Sequence, residues 1–509
     1  MDIPSLFMIP SAVSSGKVHS VFPNSTDADF QFNRDSDATR VNREGLIERV
    51  GFYGAEKLSN NDFTNGLVGY SGTTNYSVVN NQLVANSSGL IYQGSILTNS
   101  TFYKFTIDIE SVTSGGIKAY ANGNQSAVIT TAGIHTLIIQ AGTSNTLAGL
   151  NPQGTFIGVI NSISFKEVLG NRARLNYEIE GGLVNTKPSL LLEPQSTNLI
   201  KYSNDYTQSE WNKISGATVD ANVAISPDGT LNASRLNFNT VVGSRMEDQI
   251  ASASSGDYSF AVYLKADEPK TVGIRTGFAG TATVNVNVTT EWQRFSITQN
   301  NPTNPANGYA QIRSIDASGG SVYVWGAQIE QLSYSTSFIP TNGSTQTRAA
   351  ETCNGAGTSS ILPSSDGIFY AEIAALANDG TSRVISLSDG SNTNRIHLLY
   401  FSQNNFISAN YRVSGSTQAF VNVNLSNALL FHKIAWHFRS GKFKLFIDGS
   451  LAGSNSNTTM LGVGVINELA FNEAPSSTPF YGKIRDIRVY NTKEMTDSEV
   501  DILLTKITS

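Results

Sequence analysis

Apolar and polar residues alternate with a period of two through several stretches of this chain, the pattern of half-buried β-strands. Tyr103, Phe105, Ile107 and Ile109 share one phase, as do Tyr258, Phe260, Val262 and Leu264. Further on, Ile434, Trp436 and Phe438 oppose Lys433, Ala435 and His437. Ser440-Gly441 then turns the chain into a second alternating run, Phe443, Leu445 and Ile447, which Asp448-Gly449 closes as a hairpin. Only the end of the sequence changes period. Thr496 offers an N-cap before acidic first-turn residues and Val500, Ile502, Leu503 and Leu504, which predicts a short terminal helix.

The stretch Pro340 to Ala350 divides the chain into two halves. Before it, residues 51–168 and 198–340 look like two divergent copies of one module. Leu58-Ser-Asn-Asn-Asp-Phe63 leads to Gly69-Tyr-Ser-Gly72, and Tyr202-Ser-Asn-Asp-Tyr206 leads to Lys213-Ile-Ser-Gly216. Each copy closes on a long apolar strand, Gly158–Phe165 and Val322–Ile329. Turn signals such as Asn122-Gly123 and Ser226-Pro-Asp-Gly229 fall at the spacing of a β-sandwich. What remains is an N-terminal arm (1–50), a bridge (169–197), a linker (341–365) and a C-terminal domain (366–509). Val41 and Leu46-Ile47 around Asn42-Arg-Glu-Gly45 predict a tight hairpin in the arm. In the bridge, Leu190, Leu191 and Leu192 lie between Pro188 and Pro194, an apolar run too short to be buried without a partner surface.

At 509 residues the chain exceeds what one core holds, so several domains are expected. Charged residues make up 15%, with a net charge of -6, and no basic face of the kind that binds nucleic acid is present. The single cysteine, Cys353, excludes an intramolecular disulfide framework and a cysteine-based zinc cluster. The first ten residues carry an acid where a secretory signal needs basic charge, and no segment is long and apolar enough for a membrane span. Synthesis in a cytoplasm, without membrane insertion, is the expectation.

Three stretches, Gly367–Ile373, His432–Gly449 and Tyr481–Asn491, occur in the order of a concanavalin A-like (laminin-G or pentraxin type) jelly roll, which residues 366–509 resemble. The two earlier modules, with Trp292-Gln-Arg-Phe295 as a penultimate strand in the second, resemble the galactose-binding-like sandwich of carbohydrate-binding modules. The block Phe30–Glu48 and the later Pro188–Leu199 resemble paired blocks of tailed-bacteriophage virion proteins, tail or head fibres. The resemblances imply an all-β chain of tandem β-sandwiches, galactose-binding-like modules followed by a concanavalin A-like jelly roll. They also imply placement on the virion, docking to other virion proteins through the arm, a homotrimeric state, and an outward jelly roll that engages host-surface polysaccharide or another glycan.

Candidate residues follow from the chemistry of sugars, whose apolar faces stack on aromatics and whose hydroxyls need Asn, Asp or Arg. Asp389, Asn392, Asn394, Arg395 and Tyr400, in the loop from Ser388 and the segment 400–406, offer that mixture. One carboxylate, Asp389, is too few for a tight calcium site. Trp292, Trp325 and Trp436 sit on apolar phases and read as core; Trp211, in a polar stretch, also reads as core. Arg34, Arg40 and Arg43, with Leu190, Leu191 and Leu192, are the candidates for assembly or docking. The first sixteen residues could add as a strand to a partner. The five histidines show no metal-ligand spacing, no nucleophile motif is present, and no metal or cofactor is implied. Two other readings stay open: a purely structural head or tail component, and an enzyme that degrades polysaccharide.

Overall fold

The computed structural model describes residues 3–180, 182–401, 405–475 and 478–509. The chain forms tandem β-sandwiches, divided into two compact units, Met1–Val50 with Asn171–Ser509, and Gly51–Gly170.

In the unit Gly51–Gly170 a single eight-stranded sheet is built around two very long strands, Phe102–Ala121 and Leu147–Val168, which pair with each other along their length. The predicted alternation at 103–109 is only the first half of one of them. Register shifts between Asp108 and Gly116 mark β-bulges, which bend a strand and raise its twist. Gly115 there has φ +72, and a Cβ would lie 2.3 Å from the Thr155 carbonyl oxygen, so only glycine fits. Beyond the bulges, the halves of the pair collect different neighbours: Gly133–Gln140 on one side, Ile91–Gly94 and Asn124–Gln125 on the other. Both halves feed one core, in which Phe105, Ile107 and Phe165 join Ile117, Ala119 and Leu150.

The other unit contains a sandwich of two five-stranded sheets and the jelly roll. In the sandwich, one sheet runs Trp211–Ile214, Arg245–Ala253, Ala306–Arg313, Lys270–Arg275, Val284–Val288. The second runs Thr218–Ile225, Leu231–Phe238, Gly320–Glu330, Gly256–Lys265, Gln293–Asn301. Trp211 is buried between them, its Nε1 donating to the Tyr202 carbonyl at 2.8 Å. Trp325 and Trp436 are also buried, while Trp292 is half-buried and donates to the Ile225 carbonyl.

The jelly roll recruits strands from far outside 366–509. Its larger sheet runs Arg174–Asn176, Ser189–Leu192, Gly482–Asn491, Gly367–Ala375, His432–Phe438, Phe443–Ile447, Ser450–Asn455. Leu6–Met8 also pairs with Gly482–Asn491, placing Leu6 opposite Val489. Leu190, Leu191 and Leu192, expected at an assembly surface, are interior: they pair with Gly482, Lys483 and Ile484 and are at most 4% exposed. The apolar run does need a partner surface, and the chain supplies it. Leu6–Met8, within the first sixteen residues, thus adds a strand to this chain's own sheet. Phe30–Asn33 pairs with Thr352–Asn354, bringing Phe30, Phe32 and Cys353 into the jelly-roll core, where Phe30 stacks on Phe471 at 5.2 Å.

A buried ion network ties these segments together. Arg34, also expected at a docking surface, is fully buried and donates to Glu351 at 2.8 Å. Arg174 bridges Glu351 and Glu193, and Arg348 reaches Glu193 at 3.0 Å. Ser337 adds backbone and hydroxyl hydrogen bonds to Glu193 at 2.8 and 2.6 Å. Arg40 instead pairs with Glu48 at 2.7 Å, half-buried, and Arg43 alone of the three stays exposed. Between them, the predicted hairpin joins Ala38–Val41 to Ile47–Val50, with Gly45 at φ +79.

The terminal helix Asp497–Thr508 lies over the larger sheet. Val500, Leu503, Leu504 and Ile507 pack on Ile368, Tyr370, Ala435, Phe446 and Tyr490, while Ile502 points outward. Thr496 and Glu499 form a reciprocal capping box. Thr496→Ala is expected to lower stability by about 1 kcal/mol, read as a small drop in unfolding midpoint. A larger loss would mean that the helix holds the sheet rather than merely covering it.

Candidate functional site

The smaller jelly-roll sheet runs Ser416–Asn424, Phe406–Val413, Arg395–Tyr400, Arg383–Ser388, Glu468–Ala470. Strand alternation sorts its residues. Ile396, Leu398, Ile407, Ala409, Tyr411, Ala419 and Val421 face the core. The opposite phase lines a groove of about 360 Å³, with Leu399, Ser408 and Asn422 in one cross-strand row and His397, Asn410 and Phe420 in the next. Arg395 and Thr417 line it further along, Phe401 stands at the other end, and Glu473 and Thr478 close one side.

Two phenylalanines are open to solvent on this face, Phe401 at 42% and Phe420 at 53% exposed. Between them the polar groups are held in place. Asn410 Nδ2 donates to Ser408 Oγ at 2.7 Å, and Ser408 Oγ donates to Asn422 Oδ1 at 2.6 Å. Arg395 is paired with Glu473, which also accepts from Thr478 at 3.0 Å. Burial, and then the nearby Arg395 and Arg412, push the His397 imidazole down to about 3, so it is neutral at ordinary pH; its Nδ1 is buried without a partner. Aromatic faces beside fixed amide, hydroxyl and guanidinium groups suit a ring with apolar faces and a hydroxyl rim.

The sequence-predicted residues divide. Arg395 lines the groove. Asp389 and Asn394 spend their polar atoms inside their own loop: Asp389 accepts from Ser391 and from Asn394 Nδ2 at 2.8 Å, and Asn394 Oδ1 accepts from Ser414. Burial opposes ionisation of Asp389, but these hydrogen bonds win and hold its carboxyl below the usual range. Asn392 is exposed on the same loop. Tyr400 is a correction: five residues from Arg395 on one strand, it takes the core phase, 4% exposed, its hydroxyl directed at the Ile373 carbonyl at 3.4 Å. Of the segment 400–406, residues 402–404 lie outside the described residues. Phe401, inside the segment 400–406 that the sequence singles out, does stand at the groove, whereas sequence reasoning missed His397, Ser408, Asn410, Phe420, Asn422 and Glu473. Phe420 was detectable, as an aromatic in the polar phase between Ala419 and Val421.

Residues 362–501 match the family described as the Concanavalin A-like lectin/glucanases superfamily. The C-terminal domain is a concanavalin A-like jelly roll. Its groove lies on the outer face of the smaller sheet of that concanavalin A-like domain. No curated protein sequence matches the chain significantly. Among solved structures, similarity is found to the Ruminococcus gnavus IT-sialidase CBM40 bound to alpha2,3 sialyllactose, at 16% identity and a TM-score of 0.25, covering 30% of this chain and 88% of that one. Domain 4 of AbnA, a GH43 extracellular arabinanase from Geobacillus stearothermophilus, aligns at 13% identity and a TM-score of 0.25 (31% and 73%). The N-terminal CBM22 tandem domain of Xyn10C from Paenibacillus barcinonensis aligns at 9% identity and a TM-score of 0.22 (56% and 99%).

Glu473 is the one carboxylate among the described lining residues of the groove, and it is paired with Arg395. Hydrolysis of a glycosidic bond by the usual route needs two carboxyl groups across the bond. Among the described residues no group of three or more His, Cys, Asp or Glu is placed to hold a metal ion.

Proposed function

We propose that this chain is a glycan-binding fibre subunit of a tailed-bacteriophage virion, whose concanavalin A-like domain engages polysaccharide of the host surface. The observation that carries the binding part is the groove, with Phe401 and Phe420 exposed on the same face as the ordered Asn410–Ser408–Asn422 chain. The family description of residues 362–501, which names lectins, supports it. The virion part rests on the resemblance of Phe30–Glu48 and Pro188–Leu199 to paired blocks of fibre proteins. Arg43, exposed at its hairpin tip, is the member of the predicted docking set left for another virion protein. In a homotrimer three weak sites act together, because each contact after the first is effectively intramolecular.

The test is binding of the full chain to a panel of purified bacterial capsular and O-antigen polysaccharides. Phe420→Ala is expected to weaken binding to whichever polysaccharide is recognised by about tenfold, the worth of one aromatic stacking contact, with no change in unfolding temperature. Unaltered affinity would remove the groove from the account, and a chain that binds none of the panel would favour the purely structural role.

A further inference from the structure

The sandwich between Trp211 and Glu330 carries a second polar face, unlike the first in charge. On the sheet that holds Trp211, Met246, Ile274 and Ile312 point into the core. The opposite phase aligns across the strands in rows. One row reads Ile214, Arg245, Arg313, Gly273, Asn285, the next Asn212, Glu247, Gln311, Arg275, and a third Gln249, Tyr309. Three guanidinium groups thus share the centre of one sheet face with a single carboxylate.

That carboxylate is already engaged. Glu247 Oε2 accepts from Arg245 Nε and from Gln311 Nε2, each at 2.7 Å, and Glu247 and Gln311 are 6% exposed. No described carboxylate pairs with Arg275 or Arg313. Arg275 Nε and Gln311 Oε1 are buried without a hydrogen-bond partner. Burial, then repulsion by Arg245 and Arg275, lower the affinity of Arg313 for its proton, and Glu247 only partly offsets this. Two glycines leave room for the Arg313 side chain to lie along the sheet. A Cβ on Gly273 would come within 3.0 Å of its Cγ, and one on Gly243 within 2.8 Å of its Nη2. Half-buried cations that repel one another destabilise a fold unless an anion joins them.

We propose that this face is a second binding site, for a saccharide bearing an oxyanion, whose charged group is gripped by Arg275 and Arg313 and whose hydroxyls meet Asn212, Gln249, Asn285 and Tyr309. Guanidinium forks match the paired oxygens of a carboxylate and the oxygens of a phosphate ester alike. The site is independent of the jelly-roll groove, so either can fail without the other.

The experiment titrates the full chain with three probes by calorimetry: trigalacturonate, glucose 6-phosphate and neutral maltotriose. Binding of one or both charged probes, with maltotriose unbound at this site, is expected. Arg313→Ala or Arg275→Ala should weaken it about tenfold, and Glu247→Gln, which removes the competing charge, should tighten it. Thermal unfolding of each variant separates lost binding from lost structure, and the opposite sign for Glu247→Gln holds even if an arginine variant folds poorly. Phe420→Ala should leave the charged probes bound as before. Binding of neither charged probe, equal binding of all three at the same site, or loss on Phe420→Ala with none on Arg313→Ala would overturn the proposal. Response to trigalacturonate alone identifies a uronate site, and response to glucose 6-phosphate alone a phosphate site.

Discussion

Glu351→Ala is expected to destabilise the unit that contains the jelly roll by about 3–5 kcal/mol, a large share of the total stability of a typical domain. Glu351 is fully buried and receives Arg34 through one oxygen and Arg174 through both, while its Oε2 also accepts the Glu193 backbone N–H at 3.0 Å. Alanine would leave two buried guanidinium groups short of a counter-charge, which is the costly way to break such a network. Replacing a surface pair of the same chemistry, Arg43 with Glu44, should change stability by less than about 0.5 kcal/mol. Chemical denaturation followed by tryptophan fluorescence distinguishes the two, and equal effects would refute the role assigned to the network.

Acid should act on the same unit. Burial alone would raise the carboxyl of Glu193, but Arg348, Arg174 and the hydrogen bonds of Ser337 hold it down to about 2. A carboxylate with a depressed native pKa stabilises above its unfolded value, and that contribution is lost as pH falls toward about 2. His397 and His437 are pushed down by burial to about 3 and about 4. Below the ordinary histidine range the unfolded chain therefore binds protons that the native one does not. Asp248 acts the other way, because burial and then the nearby Glu210 raise its carboxyl to about 7, so between that value and the ordinary carboxylate range the native chain takes up a proton that offsets one of the histidines. The unfolding midpoint should therefore fall steeply only below about pH 4.5, and a midpoint that stays flat from there to about pH 2.5 would contradict these assignments.

The second large effect is expected from removing the arm. Without residues 3–33 the jelly roll loses Leu6, Met8, Val18, Phe30 and Phe32, all buried in its core. At roughly 1.5–3 kcal/mol for each fully buried large side chain, the loss is comparable to the whole stability of a domain. A fragment spanning 358–509 lacks Ser189–Leu192 as well, leaving one edge of Gly482–Asn491 unpaired, an invitation to aggregation. Neither species should yield a folded monomer. Gly51–Gly170, in contrast, has a core of its own and should fold when produced alone. Near-ultraviolet circular dichroism and limited proteolysis test both expectations, and a protease-resistant 358–509 monomer would show that the recruited strands are dispensable.

The all-β sandwich architecture was legible because side-chain alternation is local: Tyr258 to Leu264, Ile434 to Phe438 and the capped helix after Thr496 carry their own signals. Pairing is not local. Leu190–Leu192 announces a need for burial, but nothing near it identifies Gly482–Ile484 as the partner, and Arg34 gives no hint of Glu351, 317 residues later. The arm's charges thus looked like a surface when they are partly a core. At the groove, the loop at Asp389 stands out by composition, while the strands beside it carry their site residues in the polar phase, among ordinary strand residues. Phase was the better guide. It separates Arg395 from Tyr400 by arithmetic, and it singles out Phe420 as an aromatic on the wrong side of its strand. The bulged strand Phe102–Ala121 hid for a different reason, since a bulge interrupts the period that would have shown the strand continuing.

The most direct test of the central claim is a glycan-array measurement with the intact chain and with the double variant Phe401→Ala, Phe420→Ala, both shown to unfold at the same temperature. The account predicts reproducible binding of the intact chain to a defined set of surface saccharides and loss of that signal in the double variant. Equal signals from the two proteins would contradict it.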